Sequence, residues 1–479
     1  MQSDKKLGVE LSEKDKKFRE FALNGNMWHV VLSVCMPLAV YQIVNHIFTI
    51  LDTMMASHIS AQAVSAVAYL SQIQSMISAL GMGLAAGSSL KISEAYGAGK
   101  YEVVKKRLSS LIAICFAIGM AVILLMPFVP VFLRVTGTPE DFISIGARYF
   151  VISLAATVVG FFNNVYIAIE RARGNSKRIM YLNMGIILLK LSITAVFIYI
   201  LNAGVTMIAV ATLISQSALF CIAIKNLSGK ENVFGFNFNA ITMKRDIVLP
   251  MLSISFPVMV EKVAFALGKT VVNAMSKEYG QLTVGALGIS NNICGAVTTI
   301  HNGFQDGTAA VISQNMGAGK IDRSIDAFKK ALIINCLWGF IGWVLLMIFR
   351  DPISFIFAYS KEGLNESFRQ TILKVFMYDA FGGCVPLGIN AAVMSLLFGF
   401  GYTKISMIIN FSRVFVFRIP VLWALQNFTS LGSESVGIVM MVSNILVAVM
   451  SSIIGIFVLR YIIKNKDKFG GVDNAQAAL

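Results

Sequence analysis

Residues 92–108 read ISEAYGAGKYEVVKKRL, and residues 312–330 read ISQNMGAGKIDRSIDAFKK. Both carry Ile-Ser, three varied residues and then Gly-Ala-Gly-Lys, and they stand 220 positions apart. A Gly-Lys pair invites comparison with a phosphate-cradling loop, whose pattern is GxxxxGK followed by Ser or Thr. Here Glu94 and Gln314 occupy the place of the first glycine, and Tyr101 and Ile321 follow the lysines. Neither copy is such a loop, so uphill work by this chain would draw on an ion gradient. The alternative is a helix stop: Gly97/Gly99 and Gly317/Gly319 supply a left-handed helix end, and the basic residues beyond anchor it.

Sliding the sequence 220 positions onto itself aligns more than this phrase. Ser33 and Pro37 fall on Ser253 and Pro257, Met55 on Met275, Ala66 on Ala286, Ile73 on Ile293 and Gly87 on Gly307. An insertion after the third apolar segment shifts the offset to 227. From there Asn163 meets Asn390, Gly174 meets Gly401, Lys177 meets Lys404 and Asn183 meets Asn410. The chain is therefore read as two like-oriented halves.

Composition places both halves in a bilayer. Of 479 residues 56% are hydrophobic and only 14% charged, against about a quarter charged in soluble domains. Apolar runs long enough to cross as helices recur near 29–53, 64–92, 107–133, 145–168, 179–201, 205–224, 248–275, 283–311, 328–349, 371–397, 404–425 and 435–461. The expected fold is an all-α polytopic membrane protein, with twelve transmembrane helices in two pseudo-symmetric six-helix bundles. Residues 1–26 are polar and charged, not a cleavable signal peptide. The net charge of +15 is not a nucleic-acid footprint, because alternate loops hold 28 and 6 of the Lys and Arg residues. That asymmetry is the positive-inside rule and puts both termini in the cytoplasm. The boundaries follow: a cytoplasmic segment 1–26, bundles at 27–225 and 248–464, a polar cytoplasmic linker 226–247 and a tail 465–479. EKDKKFREFALNGNMW, ahead of the first span, reads either as an interfacial amphipathic helix or as a charged disordered tail. All six cysteines fall within spans without CxxC spacing, which favours apolar packing over disulfides or metal. The four histidines form no HxxxH or HExxH array, so no metal site is expected.

The sequence resembles the multidrug and toxic compound extrusion (MATE) family over roughly residues 27–463. The resemblance rests on the paired Gly-Ala-Gly-Lys ends, Asp52-Thr53-Met54-Met55-Ala56 closing the first span, Arg171-Ala172-Arg173-Gly174-Asn175-Ser176-Lys177 after the fourth, and Arg418-Ile419-Pro420 in the eleventh. It implies an ion-coupled exporter of cationic or amphipathic drug-like compounds; H+ is favoured over Na+ because of departures from the family's pattern in the fifth and tenth spans. Two bundles would rock between inward- and outward-open states in the cell membrane, as a monomer with no cofactor beyond the transported ion. A lipid-linked oligosaccharide or other anionic-substrate flippase is the rival within the superfamily. A membrane-embedded enzyme is disfavoured, since no GxSxG, zinc motif or intramembrane Ser/His/Asp set occurs.

Polar residues inside spans need a partner, a wet cavity or a function. Asp52 aligns with the family's first-span aspartate, which takes protons or coordinates a cation; its repeat mate is Val272. Where relatives carry Asn-x-x-x-Asp in the fifth span, this chain has Lys190 and Thr194. A sodium ion wants several oxygen ligands, and this site exchanges one for a cation. Asp52, Lys190 and Thr194 are read as the ion-coupling set, Lys190 either approaching Asp52 as a tethered counter-ion or snorkelling toward the cytoplasmic interface. Gln42, Asn45 and Asn163 are expected to line a first-half cavity. In the second half Glu261 reads as a substrate-facing anion or as a partner of Arg413 or Arg418. Lys262 and Lys269 share a helix face, and Asn390 repeats Asn163, the two amides reading either as glue between helices or as substrate contacts. The family's tenth-span aspartate is absent, the region reading Val385-Pro386-Leu387-Gly388; Asp379 lies two turns earlier. Pro37, Pro257, Pro386 and Pro420 lie inside spans, where a lost backbone bond permits bending.

Overall fold

A computed structural model describes residues 11–56, 61–135, 140–228, 232–360 and 363–469. Helix α1 (Glu13–Asn24) precedes the first half. That half comprises α2 (Met27–Ala56), α3 (Ala61–Gly97), α4 (Tyr101–Leu125) turning into α5 (Val129–Val135), α6 (Glu140–Ala172), α7 (Ser176–Ala195) and α8 (Thr206–Leu227). The second half comprises α9 (Arg245–Ser276), α10 (Gln281–Gly317), α11 (Ile321–Ile348), the short α12 (Arg350–Ala358), α13 (Glu366–Gly383) with α14 (Val385–Gly399), α15 (Thr403–Phe415) with α16 (Ile419–Phe428), and α17 (Glu434–Lys464). With no water to satisfy the backbone in lipid, each passage must bond within itself, and helices do so. Large apolar residues such as Phe116, Leu124 and Ile348 stay exposed on the outside of the protein, the inverse of a soluble surface.

Among the described residues eleven segments are both long and apolar enough to cross a membrane. The twelfth expected span, 283–311, is α10, which at 37 residues reaches about 55 Å. It falls short on composition because Asn291, Asn292, His301, Asn302, Gln305 and Asp306 interrupt it. All of them but Asn292 line cavities. The four expected proline positions divide into two kinds. Pro37 and Pro257 sit inside the continuous α2 and α9. Pro386 and Pro420 instead open α14 and α16 just after breaks in the tenth and eleventh passages.

The repeat is written into the contact between halves. Helix α3 lies on α9 of the other half, and α10 lies on α2. At the first contact a Cβ built on Gly83 would come 2.6 Å from Met259 Cα, and one on Gly87 2.4 Å from Ser255 Cα. At the second, a Cβ on Gly303 would meet Ala39 Cα at 2.8 Å, and one on Gly307 would meet Cys35 Sγ at 2.6 Å. All four pairs obey the 220-residue offset. So do the polar contacts: Ser255 Oγ lies 3.0 Å from Ser88 Oγ and 3.2 Å from Leu84 O. Cys35 Sγ lies 3.5 Å from Thr308 Oγ1 and 3.8 Å from Phe304 O. Small residues let membrane helices approach until backbones touch, which is why Cys35 belongs to packing.

The Gly-Ala-Gly-Lys phrase divides its two glycines between two tasks. Gly99 and Gly319 have φ of 75° and 74°, the left-handed stop that the sequence reading assigned. Gly97 and Gly317 end α3 and α10 where these helices cross. A Cβ on Gly97 would stand 1.9 Å from Gln314 O, and one on Gly317 2.0 Å from Glu94 O. The halves are thus pressed backbone to backbone at this end.

Helix α1 lies across that closed end. Ser12 caps it, accepting from Asp15 N at 3.2 Å, Glu13 and Asp15 favour the positive end of its dipole, and Gly25 N bonds Phe21 O at 2.8 Å to close it. Toward the first half, Arg19 donates to Tyr96 O and Gly97 O at 3.1 and 2.7 Å. Arg173 Nε and Nη2 donate to the Asp15 carboxylate at 3.0 and 3.2 Å, and Arg173 also pairs with Glu170 at 3.1 Å. Burial opposes the Arg173 charge, but Glu170 and Asp15 outweigh it and hold its pKa above the ordinary arginine value. Toward the second half, Asn315, Lys320 and Arg323 donate to the backbone carbonyls of Ala22, Leu23 and Gly25. EKDKKFREFALN is therefore a docked helix. The stretch expected as a linker also packs in part: Phe234 is buried edge-on against Tyr96 at 5.1 Å, and Lys105 donates to Asn232 O at 3.0 Å.

Candidate functional site

Three cavities adjoin one another through shared wall residues. The first, about 260 Å³, lies within the first half and is lined by Gln74, Asn163, Asn164, Asn183, Lys190 and Gln216 among others. The second, about 280 Å³, lies between the halves, bounded by Gln42, Asn45, Arg171, Lys262, Asn302 and Asp306. The third, about 330 Å³, lies in the second half, with Glu261, Lys262, Lys269, Asn390, Arg413 and Arg418 in its wall. Tyr41, Asn45 and Asn164 belong to the first and second; Lys262, Asn302 and Gln305 belong to the second and third. A polar wall therefore runs from one half to the other.

The expected first-half residues come together in part. Asn45, Asn163 and Lys190 line one cavity, while Gln42 lines the neighbouring one with Asn45. Thr194 is fully buried and donates back to Lys190 O at 2.8 Å; it is not among the cavity-lining residues. Asp52 lies near the end of α2, and its side chain is outside the described residues, as is therefore any pairing with Lys190. Asn163 donates to Gln216 O and Oε1 at 2.9 and 2.6 Å. Its own amide oxygen is buried without a bond, and so is that of Asn390, its repeat mate. Each half keeps one unspent acceptor at the equivalent place, where a buried polar atom ordinarily finds a partner.

In the second half Glu261 takes bonds from neutral donors. Ser406 Oγ donates to Oε2 at 2.8 Å and Asn410 Nδ2 to Oε1 at 2.9 Å; no ion pair joins it to Arg413 or Arg418 among the described residues. Asp379, 3% exposed, accepts from Ser290 Oγ at 2.7 Å. Arg413 and Arg418 both reach Asn444 of α17, and Arg413 also lies over the Phe265 ring at 5.3 Å. His301 is clamped between Asn335 Oδ1 at 2.8 Å and Cys384 O at 2.9 Å. Between the halves, Arg171 of α6 pairs with Asp306 of α10, and His46 of α2 lies 2.8 Å from Asn292 O. Sequence reasoning gave no role to Asn444, Ser406, His46 or the Arg171–Asp306 pair. The available signals were an amide inside the strongly apolar α17 and the density of amides in α10.

The comparisons with known proteins agree with this geometry. The MatE family model matches residues 37–196 and again 257–424, its second start displaced by the same 220 positions. "Probable multidrug resistance protein YoeA" of Bacillus subtilis (strain 168) is 22% identical over 416 residues, covering 85% of this chain and 88% of that protein. "Probable multidrug resistance protein NorM" of Thermotoga maritima is 20% identical over 407 residues, covering 84% and 86%. Among solved structures, "Outward-facing conformation of a multidrug resistance MATE family transporter of the MOP superfamily" superposes with a TM-score of 0.88 at 18% identity, over 95% of this chain and 100% of that one. "Reverse polarity of binding pocket suggests different function of a MOP superfamily transporter from Pyrococcus furiosus Vc1 (DSM3638)" superposes at 0.86 and 18%, over 94% and 98%. With a doubled family match, a doubled interface and a polar wall between the halves, the chain belongs to the MATE family of multidrug efflux transporters.

Proposed function

We propose that this protein is a secondary exporter of amphipathic organic compounds, working as a monomer in the cell membrane by alternating access of residues 27–225 against 248–464. The observation that carries this reading is the polar wall of three adjoining cavities, sealed at the Gly-Ala-Gly-Lys end by backbone-to-backbone crossings. By the charge of its loops that end is cytoplasmic, which makes this the outward-facing state. Opening the other way requires α3 and α10 to part and α1 to give up its bonds to one half. The family is one of transporters rather than enzymes.

Coupling is assigned to the first half. Asp52 is the proton carrier, and Lys190 brings a cation into the first-half cavity, where a sodium ion would need oxygen ligands. The coupling ion is therefore H+ rather than Na+. Protonation drives transport only if it favours one state over the other, a condition that a carboxylate whose environment changes between the two states would meet. A specific observation bears on substrate charge. The family resemblance points to cations, yet the second-half cavity holds four cationic side chains against two carboxylates. That balance favours a substrate with an anionic head. The test is uptake of fluorescent amphipaths of either charge into proteoliposomes under separately imposed pH and sodium gradients. Movement driven by the pH gradient and lost in Asp52→Asn is expected; movement indifferent to both gradients would overturn the reading.

A further inference from the structure

The eleventh passage delivers two guanidinium groups to one point. Helix α15 ends at Phe415, the chain turns through residues 416–418, and Pro420 starts α16, so Arg413 and Arg418 both come to α17. Arg413 Nε and Nη2 donate to Asn444 Oδ1 at 3.1 and 2.8 Å. Arg418 Nη2 donates to the same oxygen at 2.9 Å, and its Nε to Ser443 Oγ at 3.0 Å. One neutral amide oxygen thus takes three N–H bonds from two like charges. Among the described residues neither arginine forms an ion pair, and neither Nη1 meets an acceptor. Arg418 is only 4% exposed, and a guanidinium withdrawn from water without a counter-charge in contact is costly. Asp379 is the one wall carboxylate whose charge reaches both arginines, but it forms no ion pair with either among the described residues and accepts from Ser290. One carboxylate at a distance therefore faces two guanidinium groups; Glu261 is held by Ser406 and Asn410. Lys269 adds positive charge to the same cavity, and Phe265, Leu387 and Met440 give it apolar surface.

We propose that this cavity binds the oxyanion head, carboxylate or phosphate, of an amphipathic organic anion, with Arg413 and Arg418 as its fork. The planar guanidinium matches both head groups through paired N–H bonds, which a lysine ammonium does not reproduce. An arriving oxyanion supplies the acceptors that both Nη1 groups lack and offsets the repulsion of the two like charges. The apolar wall takes the substrate's body. The inference rests on the transporter reading above and names the substrate class of its second-half cavity.

The test is equilibrium binding to the purified full-length protein in detergent, followed by dansyl fluorescence, with two probes of matched body. Dansyl-undecanoate is expected to bind at least about tenfold tighter than dansyl-undecylammonium. Arg413→Gln and Arg418→Gln are each expected to weaken the carboxylate probe by about 10- to 150-fold, the range for a lost hydrogen bond to a charged group, with little effect on the ammonium probe. Arg413→Lys keeps the charge, loses the fork and should fall between; it also covers the case in which the glutamine variants fail to fold, which their melting curves would show. Competition by inorganic phosphate marks a site for free oxyanions, and competition by short-chain phosphatidic acid alone marks a lipid-like substrate; either result supports the site. Equal affinity for the two probes, preference for the ammonium, or an Arg413→Lys affinity matching wild type would overturn it. Because binding is read without transport, a failure here leaves the exporter reading intact. Binding without gradient-driven movement would sink the exporter reading and leave the site.

Discussion

Substituting alanine for Gly97 or Gly317 adds one methyl group where two backbones already touch. At Gly317 the new Cβ would stand 2.0 Å from Glu94 O, and at Gly97 1.9 Å from Gln314 O. An ordinary contact needs about 3.4 Å, so α3 and α10 must separate by about 1.4 Å, against carbonyls that cannot rotate away as a side chain could. Overpacking of this kind costs typically about 1–3 kcal/mol. The penalty exists only in the state where the two ends meet, so it becomes a shift of about 5- to 150-fold toward the state in which they part. The two substitutions should act equally because the repeat makes them equivalent. Together they should act less than additively, since one displacement relieves both. Gly319→Ala is the control: φ there is 74°, and no heavy atom lies within 4 Å of the added Cβ. It should cost about 1 kcal/mol of stability through backbone strain without moving the halves. Pulsed-EPR distances between labels at Lys106 and Lys329, on opposite halves, read the separation directly. If Gly97→Ala and Gly317→Ala leave the distribution where the wild type has it, the crossing does not hold the closed end.

The α1 clamp gives a second expectation. Asp15→Asn removes the charge from a buried pair with Arg173, whose exposures are 2% and 8%, while leaving Glu170 in place. A stability loss of about 1–3 kcal/mol should lower the melting temperature, and an unchanged melting curve would count against the docked helix. The pair between Arg171 and Asp306 bridges the halves. Either neutralisation should slow transport, and exchanging the two residues should restore part of the rate; absence of rescue would mean the pair acts independently. At Glu261, glutamine puts an amide donor where Ser406 and Asn410 already donate. About 1–3 kcal/mol of destabilisation is expected from the unmatched donors, whereas a neutral effect would show that the carboxyl is already protonated.

Much of this fold is legible in the sequence because a bilayer leaves few options. All twelve expected passages coincide with helices, and the 220-residue offset reappears residue for residue in the contacts of Gly83, Gly87, Gly303 and Gly307. The role of Gly97 and Gly317 was not legible. A glycine at a helix end reads as a stop, and only the partner half shows that its missing Cβ makes room for a carbonyl. The site was legible as chemistry but not as grouping. Asn45, Asn163, Lys190, Glu261 and Asn390 all reach cavity walls, yet Thr194 bonds back to its own helix, as a threonine in a span readily does. Asn444 escaped notice because periodicity says which face is apolar, not which amide two arginines from a broken helix will share. Docking of α1 was equally hidden, since most of its partners are backbone carbonyls, which carry no sequence signature, and the Asp15–Arg173 pair joins residues 158 positions apart.

The central claim is that two halves, closed at the Gly-Ala-Gly-Lys end, must part there in each cycle. Ala98 and Ala318 flank the cleft beneath α1. In a background without the exposed Cys221, cysteines at both positions can be joined by a short, reducible thiol cross-linker in proteoliposomes. The joined protein should still bind substrate from the opposite side but carry none across, and reduction should restore transport. Full-rate transport by the cross-linked protein would contradict the account.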